Sequence, residues 1–251
     1  MRVHVTGSSG FLGRELLRQA PDATGERVEI RDLGAVRALF ERLRPDAVIH
    51  TAYLQEGPEA WTITVDGAEN VALAAGEAGA RLVHLSTDVV FDGRKGSPYV
   101  EEDEPCPATD YGRAKAESER RVHAALADAL IVRTSLLVGG PGHEPSSHEL
   151  AAFDPELSFY EDEIRCPTPV GDLAEALLEL AALDVPGVLH VAGPDRLSRA
   201  DLAELVVARP VSRVPAPAGR PLDCSLDCSR ARALLRRRMR GVRELFTSRN
   251  V

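Results

Sequence analysis

The chain has 251 residues, 44% hydrophobic and 27% charged, with a formal net charge of -9. That length builds one large domain, or a domain with a small appendage, around a substantial core. The acidic balance excludes a general nucleic-acid binder, and no apolar run nears the ~20 residues of a membrane span.

In chain order, "RVHVTG" (2–7) predicts a strand and "LGRELLRQA" a helix. "DATGERVEIRD" predicts a short second strand ending near residue 32. "AVRALFERLR" then reads as a helix, "DAVIHTA" (46–52) as a strand, "GAENVALAAGEAGA" as a helix and "RLVHLST" (81–87) as a strand. "DYGRAKAESERRVHAAL" is helical, "ALIVRTSLLVG" (129–139) extended, "GDLAEALLELAAL" helical and "GVLHVAG" (187–193) extended. Near-continuous Val/Ile/Leu strands alternating with helices imply an α/β fold with a doubly wound parallel sheet. The regular core is expected over 1–140. Residues 141–251 form a mixed region, with late sheet elements at 170–193 and Pro/Gly/Ser-rich loops.

The start, "MRVHVTGSSGFLG", lacks the apolar core of a secretory signal, so a cytoplasmic location is expected. In a reducing compartment Cys106, Cys166, Cys224 and Cys228 read as free thiols. "HEPSSHE" (143–149) lacks metal-ligand spacing, and no metal is expected. "EEDE" (101–104) reads as a solvated loop.

Three stretches carry chemistry. In "VTGSSGFLG", Gly7, Gly10 and Gly13 follow a strand and open a helix. Gly7 permits the turn, Gly10 lets the backbone approach a pyrophosphate at the helix dipole, and Gly13 lets the helix pack on the sheet. In "YGRAKAES", Tyr111 and Lys115 stand at i and i+4 and share a helix face. An ammonium there lowers the phenol's pKa toward the working range. Only two of the 30 basic residues are lysine, Lys95 and Lys115. The third stretch, "STD" (86–88), ends a strand at the carboxyl edge where open α/β sheets bind ligands, and Thr87 can hydrogen-bond a carbonyl oxygen there.

With "VTGSSGFLG", "RPDAVIHTAY", "GARLVHLSTDVVFDG", "YGRAKAESE", "IVRTSLLVG", "YEDEIRCPTPVGDLA", "GVLHVAGPDRLSRADLAEL" and "RPLDCSLDCSRARALL" in family order from residue 3 to about 235, the chain resembles the extended short-chain dehydrogenase/reductases. "STDVVFDG" and "DEIRCPTP" make it most similar to the dTDP-4-dehydrorhamnose reductase-like group. The resemblance implies a Rossmann-type sheet with a small, abridged C-terminal substrate-binding portion. It also implies an NAD(P)-dependent oxidoreductase that transfers hydride to a keto group of a nucleotide-linked sugar. Tyr111 would be the acid, Lys115 its electrostatic partner and ribose ligand, and Thr87 the carbonyl ligand. Gly7, Ser9, Gly10, Phe11, Leu12 and Gly13 would line the pyrophosphate, and Asp32 and Leu33 the adenine. Thr51, Ala52, Tyr53 and Ser86 would meet the rest of the cofactor, and Asp88 and Arg165 the substrate. The cofactor implied by the resemblance is NADP or NAD, and the stretch around Asp32 does not choose between them. The expected partner is a small molecule rather than nucleic acid or membrane, with homodimer assembly open.

The sequence departs from the family in a short segment 20–32, in an abridged stretch before "RPLD", and in Val89 where the family often has Tyr. Thr64 also replaces an Asn that in the family supports the active-site backbone and a relay water. A 4,6-dehydratase would need Glu at position 89. An epimerase of the same fold, or a cofactor-binding partner subunit with little turnover, are the alternatives.

Overall fold

The computed structural model describes residues 1–247. In chain order the elements begin with β1 (Val3–Thr6), α1 (Phe11–Gln19), α2 (Leu33–Leu43), β2 (Ala47–His50), α3 (Gly67–Glu77) and β3 (Arg81–Thr87). There follow α4 (Asp110–Ala125), β4 (Leu130–Thr134), β5 (Leu137–Val138), α5 (Ser147–Ala152), β6 (Ser158–Tyr160), β7 (Ile164–Arg165) and β8 (Thr168–Pro169). The last are α6 (Val170–Ala181), β9 (Gly187–His190), β10 (Leu197–Ser198), α7 (Arg199–Val207), β11 (Ser212–Val214), α8 (Ser229–Leu234) and α9 (Val242–Thr247).

These elements fall into two compact units, each discontinuous in sequence. The first comprises Met1–Thr87, Asp110–Arg133 and Ala174–Leu189. The second comprises Asp88–Thr109, Thr134–Leu173 and the described residues from His190 onward.

The first unit is built on a five-stranded sheet of order β1-β2-β3-β4-β9. The pairs β1/β2 and β2/β3 are parallel, and their register sets His4 beside Val48 and Val48 beside Leu82. Alternate strand residues share a face, and this face is covered by α2, α3 and α4. Val36, Leu39 and Phe40 of α2, alanines of α3 and Val122 of α4 pack there with Val48, Leu82 and Ile131. Small residues along α3 let helix and sheet approach closely.

The expected second strand does not form. Thr24 alone bridges β1: Val5 N–H donates to Thr24 O at 2.8 Å, and Thr24 N–H to Val3 O at 2.9 Å. Beyond it, Asn70 Nδ2 donates to the carbonyls of Ile30 and Arg31, both at 3.0 Å. The Ile30 side chain fills the space where a Cβ on Gly67 would sit, 2.7 Å away. A side-chain amide and one buried isoleucine therefore hold a segment for which the sequence implies a ladder.

The second unit contains three two-stranded pairs: β5/β8 and β6/β11, both parallel, and antiparallel β7/β10. Val138, Phe159, Leu197, Leu202, Val242 and Phe246 contribute to its core. Capping boxes start α5 (Ser146, Glu149) and α7 (Ser198, Asp201), satisfying amides that open a helix.

Candidate active site

At the carboxyl end of β1 the chain turns through Gly7, whose φ is +71°. A Cβ there would lie 2.7 Å from Ala52 N, so the turn requires glycine. Thr51 fixes that neighbour by donating from its hydroxyl to Thr6 O at 2.8 Å. A Cβ on Gly13 would lie 2.2 Å from Gly7 O, which is how α1 comes so close behind the turn. The N-cap of α1 is Gly10, with no side-chain cap and no acidic residue in the first turn. The loop therefore offers uncapped backbone amides at a helix's positive end, a cradle that fits a pyrophosphate. Ser9 is exposed beside this turn and Phe11 half-buried, while Leu12 points into the core. Asp32 accepts from Ala35 N at 3.1 Å as the N-cap of α2, and Leu33 packs on the core.

α4 carries Tyr111, Lys115 and Glu119 at four-residue intervals on one face. Lys115 is 4% exposed, and its Nζ donates to Leu85 O at 2.6 Å. The Tyr53 ring lies over it, 5.6 Å from Nζ to the centroid, and tilts against Tyr111 at the same separation. Thr87 closes β3 two residues after the carbonyl that holds the lysine. Burial pulls the Lys115 ammonium down to about 8, with Glu119 opposing that shift. The arrangement sets a phenol and a buried ammonium on one helix face, with a hydroxyl at the end of the strand that holds the ammonium.

Beneath these residues runs a buried polar layer. Glu119 accepts two hydrogen bonds from Arg133 Nε and one of 2.8 Å from Arg133 Nη2. Ser86 donates its hydroxyl inward to the same carboxylate. His50 Nδ1 shares a 2.6 Å hydrogen bond with Thr6 Oγ1, His84 Nε2 one of 2.8 Å with Ser118 Oγ, and the two rings stack 5.2 Å apart. Burial holds His50 neutral, with its pKa lowered to about 3 and Lys115 adding to the effect. The sequence signal for Glu119 is a carboxylate on the buried stripe of a helix, one turn beyond the lysine.

Thr64 lies in a single π-helical turn, Thr62–Asp66, that runs into α3. Its Oγ1 accepts from Leu54 N at 3.1 Å and donates to Leu54 O at 3.0 Å. Threonine thus braces the loop after β2 from both sides.

In the second unit, Asp88 and Arg165 are each 3% exposed. Ser135 Oγ donates to Asp88 at 2.5 Å, and Arg165 Nε lies 3.7 Å from the same carboxylate. Arg165 donates from Nη1 to the carbonyls of Ile164 and Leu222, from Nη2 to Pro221 O, and pairs with Glu163 at 3.2 Å. Both residues expected to meet the substrate are thus buried and bonded within the second unit. The arginine's donors clamp 221–222 onto β7, and these bonds offset the desolvation cost of burying its charge.

A cavity of about 630 Å³ lies at the other end of the first sheet, lined by Arg2, Arg37, Asp46 and Glu77 among others. Arg2 pairs with Asp46 and Arg37 with Glu77, leaving these charges compensated and far along the strands from the glycine turn.

A family model described as the RmlD substrate binding domain matches residues 1–248. The chain belongs to this family. It is accordingly an extended short-chain dehydrogenase/reductase of the RmlD-like group. A dTDP-4-dehydrorhamnose reductase of Mycolicibacterium smegmatis is 35% identical over 260 residues, covering 92% of this chain and 79% of the relative. Methionine adenosyltransferase 2 subunit beta of Bos taurus is 29% identical over 276 residues, covering 93% and 82%. The crystal structure of dTDP-4-dehydrorhamnose reductase from Bacillus anthracis in complex with NADP superposes with a TM-score of 0.88 at 28% identity, covering 98% of this chain and 96% of that one. This RmlD-family chain has a Rossmann-type sheet in which the expected second strand is one bridge.

Proposed function

We propose that this RmlD-family protein is an NAD(P)H-dependent reductase that acts on the keto group of a nucleotide-linked sugar. The observation that carries this is Lys115, buried one turn from Tyr111 on α4 and anchored to the strand that ends in Thr87. The reductases named above from M. smegmatis and B. anthracis, the latter bound to NADP, support the reaction class.

A bound reduced nicotinamide would supply the hydride. The amides that open α1 after Gly10 would hold its pyrophosphate by hydrogen bonds and the helix dipole. Thr87 donates a hydrogen bond to the substrate carbonyl and aligns it with Tyr111. Tyr111 Oη gives its proton to the carbonyl oxygen as the carbonyl carbon is reduced, leaving a tyrosinate and an alcohol. Lys115 stabilises that tyrosinate by its charge, and solvent returns the proton. A homodimer and a cytoplasmic location belong to the same reading, and light scattering gives the subunit count.

The test is turnover of a 4-keto nucleotide sugar with NADPH and with NADH. Tyr111→Phe is expected to lower turnover by about 10² or more while coenzyme still binds. A second reading, a coenzyme-binding partner subunit, is favoured by the likeness to methionine adenosyltransferase 2 subunit beta. Tight coenzyme binding with no reduction by the unaltered protein would replace the first reading with the second.

A further inference from the structure

Glu119 is a buried charged group that the mechanism above does not use. It lies two turns from Tyr111 and one from Lys115 on the same stripe of α4. Two successive residues of β3 grip this stripe, Leu85 through its carbonyl to Lys115 and Ser86 through its hydroxyl to Glu119. Arg133 closes the carboxylate from β4, and Glu119 and Arg133 are 5% and 3% exposed. Stability alone does not explain such a pair, because an apolar pair of similar volume is commonly at least as stable.

We infer that Glu119, held by Ser86 and Arg133, is a positioning residue that sets the charge state of Lys115 and, through it, the acidity of Tyr111. Around the Lys115 ammonium, β2 contributes His50 and β3 His84, both neutral through burial. Tyr53 covers it from the loop after β2, and Tyr111 precedes it on α4. Asp66 and Glu69, from the turn before α3 and from α3 itself, pair with Arg121 on a partly exposed side, and Glu117 joins them there. Glu119 is the buried carboxylate of this layer, and it acts against the desolvation that drives Lys115 toward neutrality. Arg133 shares that carboxylate and moderates its effect on the lysine. Removing Glu119 and removing Arg133 should therefore move Lys115 in opposite directions.

The inference needs the reductase reading only in its last step, from Lys115 to Tyr111. The chain has two lysines, so a protein labelled with ¹³Cε-lysine gives two side-chain signals, and Lys95→Arg identifies which is Lys115. Glu119→Gln is expected to lower the Lys115 titration midpoint by about one pH unit, and Arg133→Gln to raise it. The alkaline limb of turnover should move in the same direction in each variant. Should Glu119→Gln fail to fold by circular dichroism, Arg133→Gln and Glu119→Asp carry the test, the latter keeping a midpoint near that of the unaltered protein. Midpoints that stay unchanged in the folded variants, or shift the same way in both substitutions to Gln, overturn the inference. The signal is read without turnover, so an absent reductase activity overturns the proposed function and leaves this result standing.

Discussion

At the scale of single residues, the loop after β2 depends on one hydroxyl. Thr64 Oγ1 both accepts from and donates to the backbone of Leu54. Thr64→Val keeps the shape but leaves both Leu54 groups without this partner. A loss of about 1–3 kcal/mol is expected from groups left unpaired in this way, measured by urea unfolding. The loop also positions Tyr53 over Lys115, so coenzyme affinity should fall with it, while Thr64→Ser should retain most of both. Tyr111 and Lys115 were legible because an i, i+4 pair on a helix is written in consecutive sequence. The inward-turned residues were not. Arg133 meets Glu119 across 14 residues, and Asp88 meets Ser135 across 47, so which charge becomes a partner is decided by the tertiary fold.

At the scale of elements, the glycine turn is the join between β1 and α1. The Cβ of alanine at position 13 would collide with Gly7 O at 2.2 Å and with Ser8 Cα at 2.7 Å, both backbone atoms without room to yield. Gly13→Ala should push α1 off the turn and misdirect its amides. Coenzyme binding is expected to weaken by about tenfold or more, equivalent to about 1.4 kcal/mol, as read by fluorescence titration. That turn was legible because glycine spacing reports backbone geometry directly. The second strand differs from its sequence pattern for the opposite reason. "ERVEIRD" has the residue types of a strand, but a ladder needs a partner, and Asn70, some 40 residues later, takes the carbonyls instead.

For the whole molecule, acid lability should come mainly from histidines. Burial lowers His4 to about 4, and His50 and His148 to about 3, and it holds His84 well below its ordinary value. The unfolded chain protonates its histidines near ~6.5. A depressed folded pKa means that the unfolded state binds more protons below that point. These groups therefore contribute their full stability above ~6.5, and it is lost progressively as the pH falls toward ~3. The urea midpoint is expected to be clearly lower at about pH 5 than at about pH 7.5, and His50→Asn should flatten that difference. At this scale the first unit was legible from alternating strands and helices, each a local pattern. The second was not, because three separated segments meet there through strands of two or three residues, too short to show a period. The lone Thr24 bridge also bears on self-association. β1 is an edge strand of four residues, and an open edge invites a strand from another molecule. Thr24 occupies both Val3 O and Val5 N–H, the groups such a strand would need, so one residue stands where a whole strand would otherwise protect the sheet from growing into an aggregate.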